Sequence, residues 1–287
     1  MSTATTPHFK HLLEINIAML FISTSGALGR YIQLSVPVTI ASRAFLAFIF
    51  LFMYCRYKKV SFNIAAKDRP MIILSGLLMG AHWVTYFYAL QMSNVAIGML
   101  SMFTYPVLTA FLEPLLLKTK FQKIHLLLGA LVLLGIYFLI PDFSLDNSYT
   151  IAIIIGVFSA LVYALRNLLM KSKVAKYNGS VLMLYQTAIV GVLLLPSFFF
   201  TDFSIVLSQW QAIFTLALLT TAIGHTLFLA SFKNFTITTA SILSSVQPVY
   251  GIIIGAIFLS EFPSWSTVLG GVLILTAVVV ESVRTYR

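Results

Sequence analysis

Three arginines, Arg30, Arg43 and Arg166, stand inside long apolar runs of this 287-residue chain. A guanidinium cannot lose its proton in a protein, and inside a membrane it is costly unless something pairs with it. Arg43 lies about one-third of the way into its run, where an unpaired arginine is costly. Its chemistry is that of a planar fork able to hold a carboxylate or phosphate through two parallel hydrogen bonds. The alternative is an internal tie to backbone carbonyls or to an acid on a neighbouring helix. Arg30 and Arg166 are nearer the ends of their runs, where a long side chain can snorkel to the interface.

Ring-bearing polar residues lie at matching depth. His82 and Tyr86 are four residues apart and share a helix face, with Trp83 on the adjoining one and His225 in a later run. They are candidate walls of a central cavity, or simply interhelical hydrogen-bonding groups. Ser101 and Thr104 precede Pro106, and Ser244 and Gln247 precede Pro248. A proline in a helix removes a donor and frees a carbonyl one turn back, and broken helices are where transporters place ligand contacts. Serine and threonine also glue helices together in lipid. Tyr163, Tyr185, Gln186, Asn16 and Asn167 complete the polar residues inside apolar runs.

Enzymatic signatures are missing. The chain has no Walker A sequence, nucleophile elbow, HExxH or dinucleotide fingerprint, so no cofactor is expected. Cys55 is the only cysteine, which rules out an internal disulfide and a multi-cysteine metal site. A lipid-modifying membrane enzyme would need converging acids or a nucleophile, and the acids here sit mostly in the connections.

The elements that must position these residues are membrane helices. The chain is 60% hydrophobic and 9% charged, far from the roughly one-quarter charged residues of a soluble domain. Apolar runs fall at about 12–32, 37–56, 70–91, 94–117, 122–141, 148–170, 178–200, 208–232, 236–259 and 264–283, each near the length a spanning helix needs. The expected fold is all-α, a polytopic membrane protein with ten transmembrane helices. Lys10 and the apolar run behind it resemble a signal sequence, but cleavage there would remove a helix from a paired set.

Apart from the three embedded arginines, every lysine and arginine falls in alternate connections or at the termini, while Asp142, Asp146, Asp202 and Glu261 fall in the others. Positive charge stays on the cytoplasmic side. The net charge of +10 is therefore a topology signal rather than the mark of a nucleic-acid partner, and both termini are expected in the cytoplasm.

Adding 142 to a position in the first half reaches its counterpart in the second: Pro106 and Val107 map to Pro248 and Val249, Gly129 to Gly271, Leu131 to Leu273 and Leu133 to Leu275. Arg43 maps to Tyr185 and Trp83 to His225. A five-helix unit starts and ends on opposite sides, so its repeat, residues 142–287 against 1–141, must be inverted. Inverted repeats are the framework of many secondary transporters. If Arg43 and Tyr185 face one cavity, it offers a cation from one half and a phenol from the other, which suits a zwitterion.

These residues resemble the EamA-type family of the drug/metabolite transporter superfamily. The resemblance lies in Tyr88-Ala89-Leu90, Ser93-Asn94-Val95-Ala96, Tyr105-Pro106-Val107 and Gly129, then Gln247-Pro248-Val249, Leu259-Ser260-Glu261 and Gly270-Gly271, and in Val36-Pro37 through Arg43. One departure is Lys118-Thr119-Lys120, where an acidic-basic pair is expected; Thr119 is the offset partner of Glu261. The resemblance implies a monomer in a bacterial inner membrane that moves small polar metabolites, often amino acids, by alternating access. A cationic drug or amine exporter is the alternative, with Glu14 the one candidate acid. Because Glu14 and Glu113 lie near helix ends, leaving His82 and His225 as the midplane titratable groups, uniport or exchange is expected rather than obligatory proton coupling.

The topology is checked with single cysteines in a Cys55→Ser background. A cysteine at Lys67 is expected to resist a membrane-impermeant maleimide in intact cells, whereas one at Asp146 is labelled. External labelling at position 67 contradicts the orientation.

Overall fold

A computed structural model describes residues 5–117, 121–140, 144–235, 240 and 243–286. The positions Lys118, Thr119, Lys120, Pro141, Asp142 and Thr236, which figure in the sequence reading, lie outside these described residues.

No water is available in a bilayer core to satisfy backbone groups, so a spanning segment must close its own hydrogen bonds. All regular structure among the described residues is helical. In chain order the helices are α1 (Thr5–Tyr31), α2 (Val36–Tyr57), α3 (Arg69–Met92), α4 (Val95–Met102), α5 (Tyr105–Leu117), α6 (Ile124–Leu139), α7 (Ser148–Val174) and α8 (Gly179–Leu194). Short α9 (Phe203–Ser208) and α10 (Trp210–Thr215) lead into a π-helical segment, Leu216–His225, which continues as α11 (Thr226–Ser231). The chain closes with α12 (Gln247–Leu259) and α13 (Trp265–Tyr286). Among the described residues seven helical stretches are long and apolar enough to cross a membrane, and three more, Ile124–Leu139, Ser244–Leu259 and Trp265–Val280, are apolar but shorter.

Both prolines of the repeat mark a helix break. α4 ends at Met102, a turn follows, and α5 starts again around Pro106. In the second half a 3₁₀ turn, Ser244–Val246, precedes α12, whose first turn holds Pro248. Asn94 caps α4 by accepting from the Ile97 amide at 2.9 Å, which satisfies one of the donors a helix start leaves open.

The bundle is apolar outside and largely apolar inside, with a minority of buried polar side chains. Phe45, Phe200, Phe258 and Trp265 are exposed, the surface a lipid solvent favours. Inside, α3 packs along α7, α2 along α8, α6 along α13, and α1 along both α12 and the π segment. Lipid supplies no hydrophobic drive for these contacts, so close backbone approach through small residues matters. Gly76 and Gly80 face Ile189 and Val190 of α8, and Gly251 and Gly255 face Met99 and Val95 of α4. These small-residue pairs thus serve packing within one chain.

Polar contacts collect the lysine-rich connections at one end. Lys173 and Lys176 donate to Asp68 at 2.8 and 2.6 Å, and Tyr177 also donates to it. His11 meets Asn234 there, and Lys171 donates to Glu113 at 3.0 Å. The bonds from Asp68 and Tyr177 raise the Lys176 ammonium above its ordinary range. This basic end stands opposite a far end where Gln33 and Gln209 meet.

Gly156 of α7 is the tightest of the α4–α7 contacts. A methyl group there would lie 2.0 Å from Ser101 Oγ and 2.7 Å from Ser101 Cβ; rotation can move the first but not the second. Gly156→Ala is expected to lower stability by about 1–3 kcal/mol, the usual cost of overpacking, despite alanine's better helix propensity. Gly191→Ala, whose new methyl meets nothing nearer than 4.0 Å, is expected to be neutral or slightly stabilising. Thermal unfolding in detergent compares the two.

Candidate functional site

At the centre Ile22 and Ser25 of α1, Arg43 of α2, His82, Trp83 and Tyr86 of α3, Met102 of α4, Tyr163 of α7, His225 of the π segment and Gln247 of α12 surround a small cavity. Its volume is about 10 Å³, room for one water at most.

Arg43 is the hub. It is 1% exposed, and its Nε donates to Thr221 Oγ1 at 2.6 Å. Its guanidinium carbon stands 4.1 Å above the Trp83 ring and 5.6 Å from Phe87, a cation–π arrangement that gains strength away from water. Nη2 has no partner. Trp83 Nε1, His225 Nδ1 and Gln247 Nε2 are likewise buried without a hydrogen bond, while the Tyr86 hydroxyl has Ser25 beside it. Such groups cost free energy unless something arrives to satisfy them, and with Arg43 Nη2 four of them belong to residues that line one cavity.

The other walls are tied. His82 Nδ1 lies 2.8 Å from Ser159 Oγ, its ring stacks on Tyr163 at 4.3 Å, and Trp83 leans on His225 at 5.7 Å. Tyr163 is in turn met edge-on by Tyr105, whose hydroxyl bonds Ser244.

The π segment makes this hub possible. Its wider turn lets Thr221 accept from Arg43 while donating to the Leu216 carbonyl at 3.3 Å. Gly224 meets α1 so closely that a methyl there would lie 2.8 Å from Ile22. Thr24 and Thr220 bond across the same interface at 3.0 Å. Single π turns inside α-helices are frequent at functional sites.

Of the residues singled out in the sequence, Arg43, His82, Trp83, Tyr86, Tyr163, His225 and Gln247 come together. Ser101 and Thr104 do not line the cavity: each donates to a carbonyl three residues back, Gly98 and Ser101, and packs between helices. Ser244 stands behind the wall on Tyr105. Gln186 bonds Arg166. Tyr185 faces elsewhere, donating to the Phe62 carbonyl at 2.8 Å in a groove beside Asn63 and Arg69 at the basic end. The Tyr185 phenol expected opposite Arg43 is therefore absent from this cavity, where the second half supplies Tyr163 instead, because the offset fixes depth along a helix and not the face presented.

Arg166 departs from snorkelling, whereas Arg30 stays at its helix end and partly exposed. Arg166 is 1% exposed. Arg30 Nε donates to Glu261 at 2.9 Å and Nη1 to the Gln91 carbonyl at 3.0 Å, while Glu261 also accepts from the Val95 amide at 2.8 Å. Ser260, left-handed at φ 56°, ends α12 and turns Glu261 toward this clamp. Thus Glu261 is more than a helix end. Ser25 and Thr221 escaped the sequence reading because hydroxyls in apolar helices are common; the Thr220-Thr221 doublet was the available signal. Among the described residues no three His, Cys, Asp or Glu side chains gather as a metal site.

Long helices with apolar outer faces, closed around a small polar cavity, define a polytopic membrane protein. The EamA-like transporter family model matches residues 11–140 and again 150–283, and the chain belongs to that family. It is thus a membrane transporter and not an enzyme. It is 22% identical to a pseudopaline exporter of Pseudomonas aeruginosa over 81% of both chains, and 26% identical to a transporter of Archaeoglobus fulgidus over 68% of this chain and 70% of that one. A crystal structure superposes with a TM-score of 0.72 at 15% identity, covering 97% of this chain and 99% of the other, a likeness of fold.

The Arg30–Glu261 clamp is partly buried and its loss strands both Arg30 and the Val95 amide. Glu261→Ala is expected to cost about 1–3 kcal/mol. Glu14→Ala, which removes exposed contacts to Lys10 and His11, is expected to cost under about 0.5 kcal/mol. Equal shifts in melting temperature would contradict this ranking.

Proposed function

We propose that the protein is a monomeric secondary transporter of small polar metabolites bearing a carboxylate, amino acids or related compounds first, working by alternating access in a bacterial inner membrane. The observation that carries the reading is Arg43: a buried guanidinium with a free Nη2, facing a cavity whose open groups include the N–H donors of Trp83 and Gln247, and paired with no acid among the described residues. Donors in excess of acceptors ask for an acceptor-rich, negatively charged ligand. A cationic substrate would meet Arg43 at close quarters, and Glu14 is exposed and turned to Lys10 and His11. The relative named as a pseudopaline exporter supports export of a small metabolite.

Reciprocal packing supports two inverted halves, 1–141 and 142–287, with ten spanning helices. α1 packs on the π segment, which is the counterpart of α3, and α3 packs on α7, the counterpart of α1; α2 meets its counterpart α8, and α6 meets α13. The basic end is assigned to the cytoplasm, with both termini. A cavity of about 10 Å³ holds no metabolite, so the helices must part at one end for substrate to enter. Among the described residues the cavity wall contains no carboxylate, which supports uniport or exchange.

Proteoliposomes and thermal-shift titrations test this together. An amino acid or related carboxylate is expected to stabilise the purified protein by mass action and to cross the membrane at a rate indifferent to an imposed pH gradient. Arg43→Ala and Arg43→Lys are both expected to weaken binding at least about tenfold, since lysine keeps the charge but loses the fork. Binding unchanged in both folded variants, or preference for amines over carboxylates, would refute the reading.

A further inference from the structure

Arg43 has a second, unassigned companion. Arg166 of α7 follows Tyr163 by one turn, so the two project from one face. Its Nε and Nη2 donate to Gln186 Oε1 at 3.1 and 2.6 Å, Nη1 donates to Asn167 Oδ1 at 2.9 Å, and Nη2 touches Met183 Sδ at 3.3 Å. Every partner is neutral. No carboxylate among the described residues pairs with Arg166. The amide nitrogen of one of these partners, Gln186 Nε2, has no acceptor although the residue is fully buried, and that of Asn167 has only the Tyr163 hydroxyl to turn to. The cluster is a set of buried donors whose acceptors are used up.

A tie between α7 and α8 alone does not require this composition. A glutamate at 186 would make the same bonds to Arg166 and neutralise it; glutamine leaves the charge standing. The interior therefore keeps two fixed positive charges, and a ligand with one carboxylate balances only one. Their placement is complementary. Arg43 lies seven residues from the far-end start of α2, and Arg166 lies eight residues short of the basic-end finish of α7. The His82–Tyr163 stack adjoins both: it lines the cavity with Arg43, and Tyr163 shares its face of α7 with Arg166.

Resting on the carboxylate reading of Arg43, we propose that Arg166, Asn167 and Gln186 form a second anion subsite, and that the substrate is a dicarboxylic, amino-acid-like metabolite held at one end by Arg43 and at the other by Arg166. Tyr163 separates the subsites in this closed conformation, so its stack on His82 parts when a ligand spans both.

Matched amino acids that differ only in the second carboxylate test this on the purified full chain: aspartate against asparagine, glutamate against glutamine, and 2-aminoadipate as a longer acid, by calorimetric and thermal-shift titration. The best acid is expected to bind on the order of tenfold or more tighter than its amide, the size of a charge-assisted hydrogen bond. Gln186→Glu, close in shape and self-neutralising toward Arg166, is expected to fold with an undiminished melting temperature and to bring the acid-to-amide ratio close to one. Arg166→Gln is the second variant, expected to do the same to the ratio. The subsite is overturned if the wild type binds acid and amide equally, or if the preference survives in either folded variant. If no carboxylate binds the wild type, the reading of Arg43 falls and takes the subsite with it; equal binding of acid and amide removes the subsite alone.

Discussion

The architecture turns on keeping the Arg43 guanidinium charged inside an apolar bundle. A lone cation in a dry interior is among the most expensive groups a fold can hold, and this chain holds it with neutral groups. The Trp83 face lies against it, and Thr221 accepts from Nε. Neither cancels a charge as a carboxylate would. Much of the local fold follows from that arrangement: Trp83 must lie flat, which fixes α3 against α2, and Thr221 must reach inward from a turn wider than an α-helix provides. The π segment, with Thr221 bonded back to Leu216, supplies that reach. An acid in place of Thr221 would make Arg43 easier to bury and less able to hold an anion.

Tight packing elsewhere keeps water from relieving the same cost by flooding the site. Gly156 against Ser101, Gly251 against Met99 and Gly224 against Ile22 bring backbones together where any side chain would hold them apart. In lipid such contacts gain dispersion energy and not hydrophobic energy, so they depend on close fit. Two of the polar residues that sequence inspection gathers around the prolines serve this packing, whereas Gln247 lines the cavity. Ser101 and Thr104 spend their hydroxyls on carbonyls in the previous turn.

How far the sequence discloses this structure depends on whether depth or direction is asked of it. Depth is legible: hydropathy locates the runs, and the offset of 142 sets Trp83 level with His225, whose rings meet. The prolines mark true helix breaks. Direction around a helix is not legible where polar residues are sparse, because no amphipathic stripe tells inside from outside. Tyr185 sits at the offset from Arg43 yet turns to the Phe62 carbonyl. Arg166 lies near a helix end by count, but its side chain points inward to Gln186 and Asn167. The π segment left no trace, since widening the turns over Leu216–His225 alters no composition.

The two ends of the bundle are closed by different means, and the difference bears on how the cavity opens. At the far end one acid, Glu261, joins one arginine and one backbone amide, so three segments meet at a single carboxylate. At the basic end Asp68 receives two lysines and a phenol. Each acid gathers several donors, so removing any one donor leaves the carboxylate partly satisfied, whereas separating the helices removes all of them together. That makes each closure cooperative rather than stiff. Neither clamp is an exposed surface pair: Asp68 is buried, and Arg30 and Glu261 are partly buried. Each holds one end of the closed form, on either side of a cavity whose own polar groups are incompletely satisfied. A ligand that satisfies the cavity can then outweigh either clamp and decide which conformation prevails.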